Sequence, residues 1–203
     1  MTSMTTAKRV RLSPEARREQ LLELGVEMLT TRTLDELSVE SLAEQAGISR
    51  GLLFHYFRNK QDFHRAVVQR AADDLLATTA PDPSLEPIAR LTRSLEHYVD
   101  YVRRNQRAYL SLVRGAASGD DSLREIFDRT RDVLTRRITD NMDVSGLTDG
   151  PTERLLARGW SAMVEEVVLA WVADPQIPQQ KLLAVLTQTL PAMLSAPRLA
   201  AAE

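Results

Sequence analysis

Apolar residues recur along this chain at spacings of three and four, and no stretch alternates with period two, so the pattern predicts helices throughout. Ser13-Pro14-Glu15 opens the first: serine caps, proline is pre-set for the first helical position, and glutamate favours the positive end of the dipole. That helix is expected to run to about Thr31, with Glu15, Glu19, Glu23 and Glu27 on one face turned to water. A second helix starts at Ser38, with Leu37 and Leu42 spaced as a hydrophobic staple, and stops at Gly47, a residue that tolerates a left-handed turn. A third follows from Ser49, with Ile48 and Leu53 as its staple. Asn59 caps a fourth over 60–79, which Pro81-Asp82-Pro83 breaks.

Larger amphipathic helices fill the rest. Leu85, Ile88, Leu91, Leu95, Tyr98 and Val102 mark one face of a helix ending near Asn105, with Pro87 harmless in its first turn. A short apolar helix over 108–116 ends at Gly119-Asp120. Leu123, Ile126, Phe127, Thr130, Val133, Leu134 and Ile138 mark the next, and 145–151 reads as a turn-rich loop. The last two helices, 151–173 and 178–195, are divided by Asp174-Pro175, and Pro191 should kink or end the final one. The expected fold is all-α with about nine helices. A basic arm and a three-helix helix-turn-helix unit occupy 1–59. A larger helical domain, 60–203, follows, with helix 60–79 as connector.

Composition narrows the classes. The 203 residues carry no cysteine, which excludes disulfide scaffolds, thiolate metal sites and cysteine nucleophiles. The longest apolar run, Val167 to Ala173, is far too short to span a bilayer, and the basic start of the chain has no apolar core of a secretory signal. A cytoplasmic protein is the expectation. The net charge of −2 is uninformative until it is divided, because 1–70 sums to +2 and the remainder to −4. Two basic clusters lie in the first segment: Lys8, Arg9, Arg11, Arg17 and Arg18, then Arg50, Arg58, Lys60 and Arg65. Basic clusters on an otherwise acidic chain favour an anionic polymer as partner.

The informative segment is 38–57. Two short helices joined by a glycine turn make a helix-turn-helix, whose second helix enters a major groove. Ala43 is small where the helices must cross, while Leu42, Leu53 and Phe57 form the apolar side. Arg50, Gly51, His55 and Tyr56 are left outward. Arg50 has the geometry to donate twice to guanine O6 and N7, and Gly51 lets backbone lie against a base edge or a thymine methyl. His55 and Tyr56 can each donate a hydrogen bond to phosphate. Lys60, Ser38 and Ser49 stand at helix N-termini, where dipole and side chain both favour phosphate.

The run Gly47-Ile48-Ser49-Arg50-Gly51-Leu52-Leu53-Phe54-His55-Tyr56-Phe57, followed by Asn59-Lys60, resembles the recognition helix of the TetR family of bacterial transcriptional regulators. The detailed match covers about residues 15–70; beyond 80 it extends only to length and helical layout. The resemblance implies base contacts from Arg50 and Gly51 and phosphate contacts from Ser38, His55, Tyr56 and Lys60. It further implies an all-helical homodimer with an effector-binding domain, whose ligand relieves repression at a palindromic operator. Two positions depart from the family pattern. Phe54 stands where the family usually has tyrosine, so a phosphate-bonding hydroxyl is missing. Thr33 stands where a glycine normally ends the first helix, and a β-branched residue is strained at positive φ.

The expected dimer seam is the last two helices, which by resemblance pair with their symmetry mates as a four-helix bundle. Leu155, Leu156, Trp160, Met163, Val164, Val167, Val168, Trp171 and Val172 make a face too broad for one side of packing, and Leu182, Leu183, Leu186, Leu190 and Met193 line the final helix. A ligand pocket is expected where aromatics collect, at Tyr98, Tyr101, Tyr109, Phe127 and Trp160 with Met163, and His97, Asn105 and Gln106 are candidate polar anchors. The same stripe is equally consistent with plain core. An aliphatic lining points to a lipophilic, acyl-like effector. Catalysis is not expected. The histidines His55, His64 and His97 fall in no His-Glu-x-x-His or Glu-x-x-His pattern, no phosphate-cradling glycine loop or Gly-x-Ser-x-Gly occurs, and Glu165-Glu166 reads as rim charge. No cofactor and no metal are implied. The competing reading is a helical protein-interaction adaptor that does not bind DNA.

Overall fold

The computed structural model describes residues 13–117, 119–140 and 150–200, with side chains over 13–113, 119–140 and 150–195. Among these residues there are nine helices and no strand. They are α1 (Pro14–Met28), α2 (Val39–Gln45), α3 (Arg50–Tyr56), α4 (Lys60–Thr78), α5 (Pro87–Arg104), α6 (Gln106–Ala117), α7 (Asp121–Thr139), α8 (Pro151–Ala173) and α9 (Gln179–Ala200). The basic arm with Lys8, Arg9 and Arg11, and the loop 145–151 up to residue 149, lie outside the described residues.

Local chemistry sets the first four helices. Ser13 Oγ accepts the Ala16 N–H at 3.1 Å, with Pro14 at the first position of α1. Ser38 and Ser41 cap α2 reciprocally: Ser41 N–H donates to Ser38 Oγ at 3.0 Å, and Ser38 N–H to Ser41 Oγ at 3.3 Å. Gly47 turns the chain at φ +63°, and Ile48 N–H reaches back to the Ala43 carbonyl at 3.0 Å, the six-to-one bond of a Schellman turn. Ser49 Oγ then accepts Leu52 N–H at 3.2 Å, and Asn59 Oδ1 accepts Asp62 N–H at 2.8 Å.

The turn at Thr33 solves its problem without strain. No residue other than glycine among the described ones has positive φ. Thr33 N–H instead donates to Glu36 Oε2 at 2.9 Å while Glu36 N–H approaches Thr33 Oγ1 at 3.4 Å, a reciprocal clasp that glycine could not make.

One core gathers Leu21, Leu29, Leu37, Leu42, Leu53, Phe57, Phe63 and Val67 from α1 to α4, together with Ala108 of α6. Gly25 of α1 sits so close to α4 that a β-carbon there would lie 2.6 Å from Val67 Cγ2. A second core joins α5, α8 and α9 around Val99, Val102, Trp160, Val168 and Leu186. Val68, Ala72, Leu112, Leu123 and Ile126 knit α4, α6 and α7 between them. The first half of α4 therefore packs with α1–α3 and its second half with the larger helices.

Three sequence expectations change. The acidic face of α1 is not wholly given to water, because α4 crosses it: Arg70 pairs with Glu19 and lies 4.0 Å from Glu23. Pro191 does not end α9. Its ring is exposed while Leu186, Leu190 and Leu194, buried on either side of it, hold the helix to the core. The broad face of α8 and α9 divides. Trp160, Val164, Val168, Leu182, Leu183, Leu186 and Leu190 are buried within the chain's own core, while Leu155 is 70 % exposed and Val185 48 %. None of the described helices is long and apolar enough to cross a membrane.

Candidate nucleic-acid interface and cavity

Leu53 anchors α3 to the first core, which turns the rest of this seven-residue helix outward. Arg50, Gly51 and His55 are exposed, Tyr56 is half-buried with its ring edge-on to His55 at 5.6 Å, and Leu52 and Phe54 are more than 40 % exposed. Gly51 has negative φ, and a β-carbon there would meet nothing nearer than Ser49 Oγ at 4.0 Å. Neither backbone geometry nor intramolecular packing asks for glycine at this position. Arg50 does not wave freely: its Nη2 lies 2.5 Å from Glu40 Oε1 on α2. Lys60 Nζ donates to the Asp35 carbonyl at 3.2 Å and keeps two further protons for other acceptors. Ser38 and Ser49 both act as caps, and Ser38 Oγ also donates to Ser41 Oγ at 3.1 Å. One element on, a neutral His64 donates Nε2–H to the Leu37 carbonyl at 2.7 Å; burial holds its pKa below the ordinary histidine value.

In the larger domain α4, α5, α6, α7, α8 and α9 enclose a cavity of about 330 Å³, walled mostly by aliphatic and aromatic side chains. Tyr98, Tyr109, Phe127 and Trp160 line it, and so do Leu75 and Thr79 at the end of α4. A polar seam crosses one wall. Arg131 of α7 donates to Glu165 Oε1 of α8 at 2.7 Å and stacks over Phe127 at 4.6 Å. Tyr109 donates its hydroxyl to Glu165 Oε2 at 3.1 Å, and the Tyr98 hydroxyl lies 2.7 Å from that of Tyr109. Tyr109 has one proton and gives it to Glu165, so Tyr98 must be the donor of the second bond. Burial raises the pKa of both phenols, so they stay protonated. One turn along, Thr135 donates to Ser161 at 3.3 Å as a second rung between α7 and α8.

Comparison with known proteins agrees with both halves. Residues 21–67 match the bacterial regulatory proteins of the tetR family, and residues 87–193 match the tetracyclin repressor-like C-terminal domain. A solved tetR-family transcriptional regulator from Streptomyces coelicolor superposes with a TM-score of 0.81 at 30 % identity, covering 91 % of this chain and 84 % of that one. The chain belongs to the TetR family. It is a TetR-type transcriptional regulator with a helix-turn-helix DNA-binding unit, and the relatives it matches are regulators rather than enzymes. Curated TetR relatives differ in the sign of their action. The transcriptional activator FasR of Mycolicibacterium smegmatis is 28 % identical over 49 % of this chain and 46 % of its own length. The transcriptional repressor KstR2 of the same species is 32 % identical over 39 % and 40 %. The chain thus spans less than half the length of these curated relatives.

On this TetR framework α3 brings Arg50, Gly51, His55 and Tyr56 together, with Ser49 at its start, while Ser38 and Lys60 stand at the N-termini of α2 and α4. Of the six aromatic and methionine candidates, Tyr98, Tyr109, Phe127 and Trp160 line the cavity. Tyr101 and Met163 do not. Tyr101 donates its hydroxyl to the Ala71 carbonyl of α4 at 2.7 Å, and Met163 packs half-buried against the second core. The polar candidates also lie elsewhere: His97 Nδ1 meets the Thr78 carbonyl at 3.1 Å, Asn105 donates to the Tyr101 carbonyl, and Gln106 is outside the lining. Reading Glu165-Glu166 as rim charge holds for exposed Glu166 only; the Glu165 side chain is 16 % exposed and forms the centre of the polar seam. Arg131, Glu165 and Ser161 were missed because each is one polar residue in an amphipathic helix, and the partners lie 26 and 34 residues apart.

Proposed function

We propose that this regulator is a repressor that binds a near-palindromic operator as a homodimer and is released by a small lipophilic ligand held in the cavity. The observation that carries the reading is the first turn of α6, where three consecutive residues face different parts of the molecule. Arg107 Nη1 donates to the Thr31 carbonyl after α1, Ala108 is 2 % exposed in the core of α1–α4, and Tyr109 walls the cavity. A ligand that moves Tyr109 therefore acts on the reading unit through one helical turn. The far end of α4 supplies a second route: Leu75 and Thr79 line the cavity, and Arg137 of α7 donates to the Leu76 carbonyl at 2.8 Å and Thr79 Oγ1 at 3.2 Å. Its near end carries Lys60. Release requires the ligand to bind the dimer with misplaced reading helices more tightly than the DNA-competent one, since only differential affinity moves such an equilibrium.

In this reading Arg50 and Gly51 contact bases, with Leu52 and Phe54 available to thymine methyls, and Ser38, Ser49, His55, Tyr56 and Lys60 contact phosphates. Two half-sites about 34–36 Å apart need two copies. The outward side of α8 and α9, with Leu155 and Val185, is the surface we assign to that pairing. An adaptor that ignores DNA is not favoured by any feature of the molecule. The test is selection of bound fragments from a random duplex library at two salt concentrations, followed by transcription from the selected site. One enriched near-palindrome, bound more weakly as salt rises and silenced by the protein, supports the proposal. No enrichment refutes operator binding, and stimulated transcription refutes the sign.

A further inference from the structure

The walls of the cavity are unequal in what they have left to offer a ligand, and this names its head group. The tyrosine protons are committed: Tyr98 gives its own to Tyr109, and Tyr109 to Glu165. Thr130 donates to the Ile126 carbonyl of its own helix at 2.7 Å. Both oxygens of Glu165 are engaged, one by Arg131 and one by Tyr109, and it is the single carboxylate among the described lining residues. Arg131 is in the opposite condition. A guanidinium has five N–H donors, and Arg131 commits one, to Glu165, while its flat face rests on Phe127. Ser161, one turn before Glu165 on α8, accepts from Thr135 and retains its proton. The α7–α8 wall therefore presents the open N–H donors of a guanidinium that Glu165 pairs on one side only, beside a hydroxyl that keeps its proton, in a chamber that is otherwise mostly apolar.

We infer that the ligand is a lipophilic carboxylate: an apolar chain filling the aliphatic part of the cavity, with an anionic, acceptor-only head on Arg131 and Ser161. A planar carboxylate matches the fork of a guanidinium, which a hydroxyl or an ammonium does not. The head shares the Arg131 charge with Glu165 and brings a second carboxylate beside it, so binding weakens the rung that ties α7 to α8. At about 330 Å³ the cavity lies at the small end of the range for ligand pockets, which suits a chain of moderate length. This inference rests on the cavity being the effector site.

Octanoate, 1-octanol and octylamine share one chain and differ only in the head, and titration calorimetry of the full-length protein with each separates the two ideas. Octanoate should bind about tenfold or more tighter than 1-octanol, as expected for a charged hydrogen bond. Arg131→Gln should bring octanoate down to the octanol level and leave octanol unchanged. Glu165→Gln, which keeps the shape of the wall and removes the competitor, should tighten octanoate and provides the readout if Arg131→Gln does not fold. Equal affinities for octanoate and 1-octanol overturn the head-group inference and leave the cavity as effector site. Tightest binding of octylamine, lost in Glu165→Gln, overturns it in favour of a cationic ligand. Failure of all three to bind saturably overturns the effector cavity and the inference together.

Discussion

Gly51→Ala separates stability from recognition in one methyl group. Position 51 is the second residue of α3, its φ is negative, and a β-carbon there meets only Ser49 Oγ, at ordinary contact distance. Nothing in the folded chain resists the alanine. Removing glycine's extra freedom in the unfolded state should then stabilise the protein by about 0.5–1 kcal/mol. For a chain of this size that raises Tm by roughly 1–4 °C. On DNA the same methyl enters the surface assigned to a base edge. Forcing a methyl into a filled interface costs about 1–3 kcal/mol, and a symmetric dimer meets that cost twice, so operator affinity should fall on the order of 30-fold to 10⁴-fold. Thermal unfolding gives the first number, and fluorescence anisotropy with a labelled operator at fixed salt gives the second. A raised Tm with operator affinity within twofold of the parent would refute the reasoning, because it would mean the Gly51 backbone does not approach the bases.

Arg50→Ala should cost about 1–3 kcal/mol on the operator and relax base preference at one position per half-site, whereas Lys60→Ala should weaken all sequences alike and flatten the salt dependence by about one counterion per protomer; equal losses for Arg50→Ala on operator and random DNA would contradict its base-reading role. His64 gives a pH test. Burial lowers its pKa, Lys60 acts in the same direction, and the Leu37 bond and Asp35 oppose them. The unfolded chain therefore takes up the proton first, so stability is full above about pH 6.5 and declines as pH falls below it. Urea midpoints at pH 8 and 5.5 should show this, and His64→Gln should reduce the difference; an unchanged difference would place the effect elsewhere. Arg107→Ala should leave operator affinity within about twofold and shrink the loss of affinity that saturating ligand causes. Anisotropy with and without ligand measures both, and a full ligand response in the variant would rule out the α6 tie as a route.

The features legible from sequence are those whose partners lie within one turn. Ser13, Ser38, Ser49 and Asn59 each cap an N–H three residues on, and Gly47 closes its turn over five residues, so composition in a short window was sufficient. The outward set on α3 followed from the same locality, because one buried residue, Leu53, fixes which sides of a seven-residue helix remain free. What the pattern could not give was long-range pairing. Glu19 and Glu23 look like a face turned to water until α4 brings Arg70 across it, and Glu165 looks like rim until Arg131 and Tyr109 arrive from other helices. Aromatic character marked four of the cavity walls but not Tyr101 or Met163, since residues on one stripe diverge when neighbouring helices cross at different heights. At Thr33 the family pattern warned of strain, and the remedy, Glu36, was in plain view three residues on.

The packing of α4 and α6 also sets where this molecule can be cut and rejoined. An exchange of reading heads between regulators at residue 59 would leave Phe63 and Val67 facing a foreign α1, place the Lys60 and His64 bonds to the 35 and 37 carbonyls on a foreign loop, and set Ala108 against side chains it did not evolve beside. A graft that carries α1 to the middle of α4 together with the first turn of α6 transfers a closed interface instead. Hybrid regulators built on this scaffold therefore require a two-segment transplant, and a single crossover should uncouple the cavity from the reading head.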